Sequence, residues 1–402
     1  MSNVSTVPMT AGEANSVAIA KLTQIWQELL GVDSVGADQN YFDLGGDSSL
    51  AVQLFARIAE TFNVKLPLAT LFEAPTIEEL ARMLGEQPSV ASGSSGSPLV
   101  AIQPNGSRPP FFCMHPHGGN VLVYRELAKQ LGDDQPFFGL QSQGLGGTQR
   151  PLSRIEDMAA IYLKEIRKKQ PRGPYLRGGY CMGGTIAYEV ARQLQELGEE
   201  VALLALFDTI EVSTLPPRSL PQTIYYNSER FIFHLTNLLA LNSTDRSRFI
   251  SEKLRSLRIR IPVWLGRVNA RLARQQRENG AASEAQILGE VWDANFRAGL
   301  DYIPGRYRGT VTDIRPRRQY RIFDQPQLKW DRLADGGQKT IVLPVNPPAI
   351  LAGPFVNHLA VALRKCLDEA IQATQSSFDH SSTLSSVRSQ HAPPQPSPRE
   401  QG

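Results

Sequence analysis

One six-residue turn, GYCMGG at residues 179–184, lies between a strand-like run at 175–180 and a helical stretch at 185–197. Glycine on both sides of a single cysteine lets the backbone reverse sharply and lets strand and helix pack closely. A strand that feeds straight into a helix is a strong constraint on fold class, and the same alternation recurs around it. Residues 110–114 and 136–140 are short apolar runs, 155–168 has helical spacing, and 201–207 reads VALLALF and ends at Asp208. A continuous apolar run of that length suits a parallel strand covered on both faces. Residues 341–345 repeat the theme before a last helix at 355–371. The pattern predicts a parallel sheet sandwiched by helices over residues 99–371. Residues 212–290 interrupt it with helical, locally apolar sequence such as Phe231, Ile232 and Phe233, expected as a lid insertion over the carboxyl edge of the sheet.

The N-terminal part has a different texture. Ile19, Leu22, Trp26 and Leu29 form one helical apolar stripe, and Leu50, Leu54, Ile58 and Phe62 form another. Thr76 followed by Glu79 has the spacing of a capping box, with Ile77, Leu80 and Leu84 as the buried face behind it. Residues 16–86 therefore read as a small helical bundle, and Ser48, after Gly45, Gly46 and Asp47, opens its second helix. The 402 residues exceed one small core and suit two domains. Residues 1–15 are expected to be loose, 87–98 (QPSVASGSSGSP) to be a flexible linker, and 372–402 to be a disordered tail.

Bulk properties exclude several classes. A net charge of +3 makes no case for nucleic acid. Three cysteines, Cys113, Cys181 and Cys366, make neither a disulfide framework nor a metal cluster. No apolar run spans a bilayer and no secretory leader is evident, so no membrane partner is expected and a cytoplasmic location is. Charge is uneven: residues 16–85 carry four Lys/Arg and nine Asp/Glu, while 245–278 carry ten Lys/Arg and three acids. The basic segment is either a solvated helix face or a surface that attracts the acidic bundle.

Two motifs carry chemistry. NYFDLGGDSSLA, residues 40–51, resembles the 4′-phosphopantetheine attachment site of a peptidyl or acyl carrier domain. The resemblance implies that Ser48 anchors a covalent thiol arm, placed there by a phosphopantetheinyl transferase. GYCMGG fits the strand-to-helix nucleophile elbow G-x-S-x-G with cysteine in place of serine. A helix N-terminus favours a thiolate there, and the next amide, of Met182, is placed to donate to an oxyanion. With FFCMHPHGGNVLVYRELA (111–128), PFFGLQ (136–141), YLRGGYCMGGTIAYEVARQL (175–194) and LFDT (206–209), residues 99–371 resemble a type I thioesterase domain of nonribosomal peptide and polyketide synthetases, an α/β-hydrolase. The implied site is Cys181 as nucleophile and Asp208 as the acid at a strand end. The HPHGG loop around His117 would share the oxyanion hole with Met182.

The family's histidine is missing. Counted back from Pro354, its slot falls at Pro347. The chain has six histidines: 115, 117, 234, 358, 380 and 391. Of these, His117 sits on a loop expected beside the elbow and is the candidate relocated base. The alternatives are a thiolate lowered by the helix dipole without any base, or a slow or silent domain.

The expected function is that of a terminal carrier–thioesterase didomain. It takes an acyl or peptidyl chain from Ser48 to Cys181 and releases it by hydrolysis, or by cyclisation or aminolysis, since a cysteine acyl-enzyme stays activated. Loading would come from upstream synthetase modules, no adenylation, condensation or ketosynthase segment being present. The rival expectations are a non-catalytic module that holds the carrier-bound chain or docks a partner, and an acyltransferase to an external nucleophile.

Overall fold

The computed structural model describes residues 11–46, 48–64, 66–85, 97–145, 149–210, 219–247, 249–250, 284–323 and 330–390. Asp47, the linker core at 86–96 and residues 251–283, which include most of the basic segment, lie outside them.

The N-terminal unit is the expected bundle: α1 (Ala11–Leu30), α2 (Ser48–Phe62), the single turn α3 (Thr70–Glu73) and α4 (Ile77–Gly85). Leu22, Trp26, Leu54, Ile58, Ile77 and Leu80 meet in its core with essentially no exposure. The capping box forms: the Glu79 amide donates to Thr76 Oγ1 at 3.2 Å, and the Thr76 amide donates to Glu79 Oε2 at 3.1 Å. One expectation is corrected here. Residues 11–15 are not loose but are the first turn of α1, because no glycine or proline after Gly12 interrupts helical sequence up to Leu30.

The larger unit is a seven-stranded sheet in the order β1-β3-β2-β4-β5-β6-β7. Its strands are β1 (Leu99–Gln103), β2 (Phe111–Met114), β3 (Phe137–Leu140), β4 (Tyr175–Tyr180), β5 (Val201–Phe207), β6 (Val311–Pro316) and β7 (Gln338–Leu343). All pair in parallel except β1, which runs antiparallel on β3. One face packs on α6 (Ile155–Lys169) and α7 (Met182–Glu196) through Phe112, Met114, Leu204 and Leu206. The other packs on α5 (Arg125–Gln130) and on the C-terminal helix (Val356–Gln390) through Phe111, Phe137, Leu176 and Phe207. The sheet is therefore apolar on both sides, as VALLALF requires. This is the α/β-hydrolase architecture behind a helical carrier region.

From the region expected as a lid come α8 (Leu220–Leu239) and α9 (Glu284–Asp301), the latter running past residue 290. The last helix, α10 (Val356–Gln390), corrects the disordered-tail expectation for residues 372–390. Once Leu359, Leu363 and Leu367 fix the helix on the sheet, each further residue adds a hydrogen bond at little cost, and no proline occurs between Val356 and Pro393. Among the described residues no helix is long and apolar enough to cross a membrane.

One core residue conflicts with its surroundings. Arg177 on β4 is 1% exposed, level with Phe112 and Leu204, and none of its three guanidinium nitrogens has a hydrogen-bond partner. Burial pulls its guanidinium down to about 9. The Tyr175 ring, 5.6 Å away, returns only part of that cost. Arg177→Met keeps the stem and removes the charge. It is expected to stabilise the fold by about 2 kcal/mol, read as a higher urea midpoint.

Candidate active site

The carboxyl edge of the sheet gathers three loops. β2 runs into residues 115–121, β4 into Cys181 and β5 into Asp208. Cys181 holds φ 55°, ψ −124° and is the residue before α7. Its amide donates to the Phe207 carbonyl at 2.9 Å, and its carbonyl accepts from the Gly184 amide at 3.0 Å. Three glycines make this turn possible. A Cβ at Gly179 would fall 2.2 Å from the Gly183 carbonyl carbon, one at Gly183 2.2 Å from the Met114 oxygen, and one at Gly184 2.0 Å from Thr209 Oγ1. Backbone cannot yield as a flexible side chain can, so Gly183→Ala is expected to cost about 3 kcal/mol or prevent folding, measured by denaturant unfolding.

Asp208 is the register neighbour of Cys181, one step past the Tyr180–Phe207 pair. It also has a left-handed backbone, φ 45°, held by its amide donating to the Ile314 carbonyl at 2.9 Å. Desolvation, then the charge of Asp313 on β6, pushes its carboxyl up to about 7. Asp313 is itself raised to about 6 by burial. The Cys181 thiol is exposed to solvent, but the protein around it and the charge of Asp208 push it up to about 11. The Met182 amide, which hydrogen-bonds the sulfur, acts in the lowering direction and is outweighed. At this elbow desolvation beside a carboxylate acts against the thiolate that the helix N-terminus favours.

Tyr124 ties the loops together. Its hydroxyl donates to the Met114 carbonyl at 2.6 Å and accepts from the Tyr180 amide at 3.0 Å. His115 is buried between the Pro116 carbonyl and the Tyr162 hydroxyl, both at 2.8 Å. A carbonyl only accepts, so Nδ1 carries the proton, and burial lowers the ring to about 4. His115 is a neutral structural residue.

His117 sits at the same edge with its ring against α9. Nε2 donates to the Trp292 carbonyl at 3.2 Å, and the ring centroid lies 4.4 Å from Trp292 and 5.7 Å from Phe296. Asn295 Nδ2 donates to the His117 carbonyl at 2.9 Å and anchors the loop. Trp292 and Phe296 are exposed beside it and form an aromatic wall. His358 is exposed on α10. Pro347, where the resemblance implies a histidine, is buried in a short 3-10 turn after β7. Its neighbour Asn346 is buried and donates through Nδ2 to Asn237 Oδ1 of α8 at 2.9 Å. Neither asparagine stands out in the sequence, since each gains its partner across 109 residues.

Ser48 is the first residue of α2. The turn before it is tight: Gly45 has φ 88°, and a Cβ at Gly46 would lie 2.4 Å from the Tyr41 ring.

The family model for the phosphopantetheine attachment site matches residues 20–84, and that for the thioesterase domain matches 109–257. The chain joins a phosphopantetheine-attachment domain to a thioesterase domain. It is 42% identical over 203 residues to a dimodular nonribosomal peptide synthase of Bacillus subtilis (strain 168), covering 50% of this chain and 8% of that protein. It is 44% identical over 189 residues to malpinin synthetase of Mortierella alpina, covering 47% and 2%. The chain thus spans less than a tenth of these relatives' length. A four-domain nonribosomal peptide synthetase crystallised in its holo form with AMP and glycine superposes with a TM-score of 0.51 at 22% identity, covering 91% of this chain and 27% of that one. The carrier domain's cofactor is covalent 4′-phosphopantetheine. The start of α2 fits it: a glycine turn leads to a hydroxyl residue at a helix N-terminus, whose first amides suit a phosphodiester.

Proposed function

We propose that this didomain takes an acyl or peptidyl chain from Ser48 to Cys181 and releases it. Upstream synthetase modules load the chain, after a phosphopantetheinyl transferase has modified Ser48. The observation that carries the reading is Cys181 in a left-handed elbow, register-adjacent to Asp208 at the carboxyl edge of the sheet. The bound cofactor supplies the chain as a thioester. The Cys181 sulfur attacks the acyl carbonyl while its proton passes to Asp208. The amides of Met182 and His117 receive the oxyanion. Asp208 would return the proton to the departing arm as the acyl carbon leaves it for Cys181. Water, or an amine within the chain, then completes release by hydrolysis or cyclisation.

Asp208 is the proton acceptor in this reading because the histidine slot holds Pro347 and the His117 ring is engaged by Trp292. A carboxyl near 7 is well matched to that task at neutral pH. His117 contributes through its loop, so His117→Ala is expected to slow release less than Asp208→Asn does. The deciding experiment is intact-mass spectrometry of the full chain loaded with an acyl-phosphopantetheine, followed over time with peptide mapping. Loss of the acyl group through a Cys181 acyl adduct supports the reading; a chain that stays fully loaded removes it.

The buried Pro347 and a thiol raised to about 11 favour a second reading, a module that shelters the carrier-bound thioester. It expects that same fully loaded outcome.

A further inference from the structure

Among the described residues, the carrier and thioesterase domains meet at a seam around Leu122 and Phe72. Leu122, in the short 3-10 turn Leu122–Tyr124 that leads into α5, is 5% exposed and belongs to the apolar core of the carrier bundle. Phe72 of α3 packs against both that core and the core of the sheet, and it stacks on Phe42 with ring centroids 6.1 Å apart. The Arg125 guanidinium lies 4.1 Å over the Phe42 ring. Asp43 stands between two cations, 3.7 Å from Arg125 and 4.0 Å from Lys129. Phe42 and Asp43 belong to the loop that leads to Ser48. On the other side of the seam, Tyr124 holds the ends of β2 and β4 that carry the 115–121 loop and Cys181.

We infer that Leu122, Arg125 and Lys129 form the dock from which this chain's own carrier presents its arm to Cys181. Three features fit that occupant. The carrier is acidic, four Lys/Arg against nine Asp/Glu over residues 16–85, and its loop acid meets the two cations. The contact is mixed, apolar at Leu122 and Phe72 and cation–aromatic at Arg125. It also adjoins the active site, since Tyr124, two residues past Leu122, holds the ends of β2 and β4. The segment at 245–278, either a solvated face or a surface for the acidic bundle, lies mostly outside the described residues; at this seam two cations of α5 meet the acid.

Delivery from the dock rests on the Cys181 reading, but the dock itself can be tested without any chemistry. Hydrogen exchange is measured on the full unloaded chain for wild type, Arg125→Glu, Leu122→Asp, and Arg125→Glu combined with Asp43→Arg. Losing the cation–aromatic and ionic contacts is expected to speed exchange about tenfold in residues 41–46 and 120–129 together, with the charge swap restoring protection. Exchange unchanged in both single variants overturns the dock. Release is then compared in cis, from loaded Ser48, and in trans, from an acyl thioester of a small thiol. Arg125→Glu is expected to slow only the cis reaction. Equal slowing of both, or of neither, overturns delivery from this dock. A wild type inert toward both substrates with the exchange pattern intact overturns the Cys181 reading and leaves the dock as a holding contact.

Discussion

Cys181→Ala is expected to keep the acyl chain on a loaded carrier while wild type loses it, with a rate difference of at least about a thousandfold. The size follows from the role. A nucleophile that forms a covalent intermediate cannot be replaced by its neighbours, and uncatalysed thioester hydrolysis is all that remains. The elbow should survive the change, because alanine keeps the Cβ, and the Gly179, Gly183 and Gly184 contacts that shape the turn do not involve the sulfur. The variant therefore separates chemistry from folding. Its unfolding midpoint is expected to match wild type within experimental error, while its acyl mass persists. An acyl group lost equally fast from both proteins would remove Cys181 from the mechanism.

Asp208→Asn is expected to act on activity and stability in opposite directions. The carboxyl is raised from 3.8 to about 7, so between those values the folded protein binds a proton that the unfolded chain has released. Stability attributable to this residue is undiminished below about pH 4, falls as pH rises through 4 to 7, and stays low above 7. Asparagine removes the penalty. Above pH 7 the variant should be more stable than wild type by about 2 kcal/mol, a discounted figure because Asp208 is only partly buried, and the difference should vanish near pH 4. Activity runs the other way. If the ionised carboxylate accepts the thiol proton, release by wild type rises with pH through about 7. Asp208→Asn loses that rise together with most of the rate. Asp313→Asn should shift the rise to lower pH, since the Asp313 charge helps hold the Asp208 proton. A pH profile identical in wild type and Asp208→Asn would assign Asp208 to loop architecture alone. Gain of stability with loss of function is the usual signature of a strained or desolvated site residue.

Much of the chain was legible because local rules and the global fold agree. The GYCMGG turn is legible because only glycine tolerates backbone at the distances found around Gly179 and Gly183. VALLALF is legible because both faces of β5 are in fact covered. The Thr76–Glu79 box is legible because its partners are three residues apart. Where the reading stopped, sequence distance was the reason. β1 runs against β3, and β6 supplies Asp313, although neither short run has a strong period of its own.

The sequence by itself determined two kinds of element, a helical bundle that presents Ser48 and a parallel sheet that presents Cys181. It also carries Pro347 where the thioesterase resemblance implies a histidine. Each of these depends on residue spacing within one or two turns of chain, where backbone geometry is the main constraint. Tertiary structure alone decided what surrounds them. It placed Asp208 beside the thiol with its carboxyl near 7, and turned the His117 ring to Trp292. It also seated Phe42 and Asp43 on Arg125. Desolvation, charge–charge coupling and side-chain docking are sums over neighbours far apart in sequence, so no local pattern encodes them.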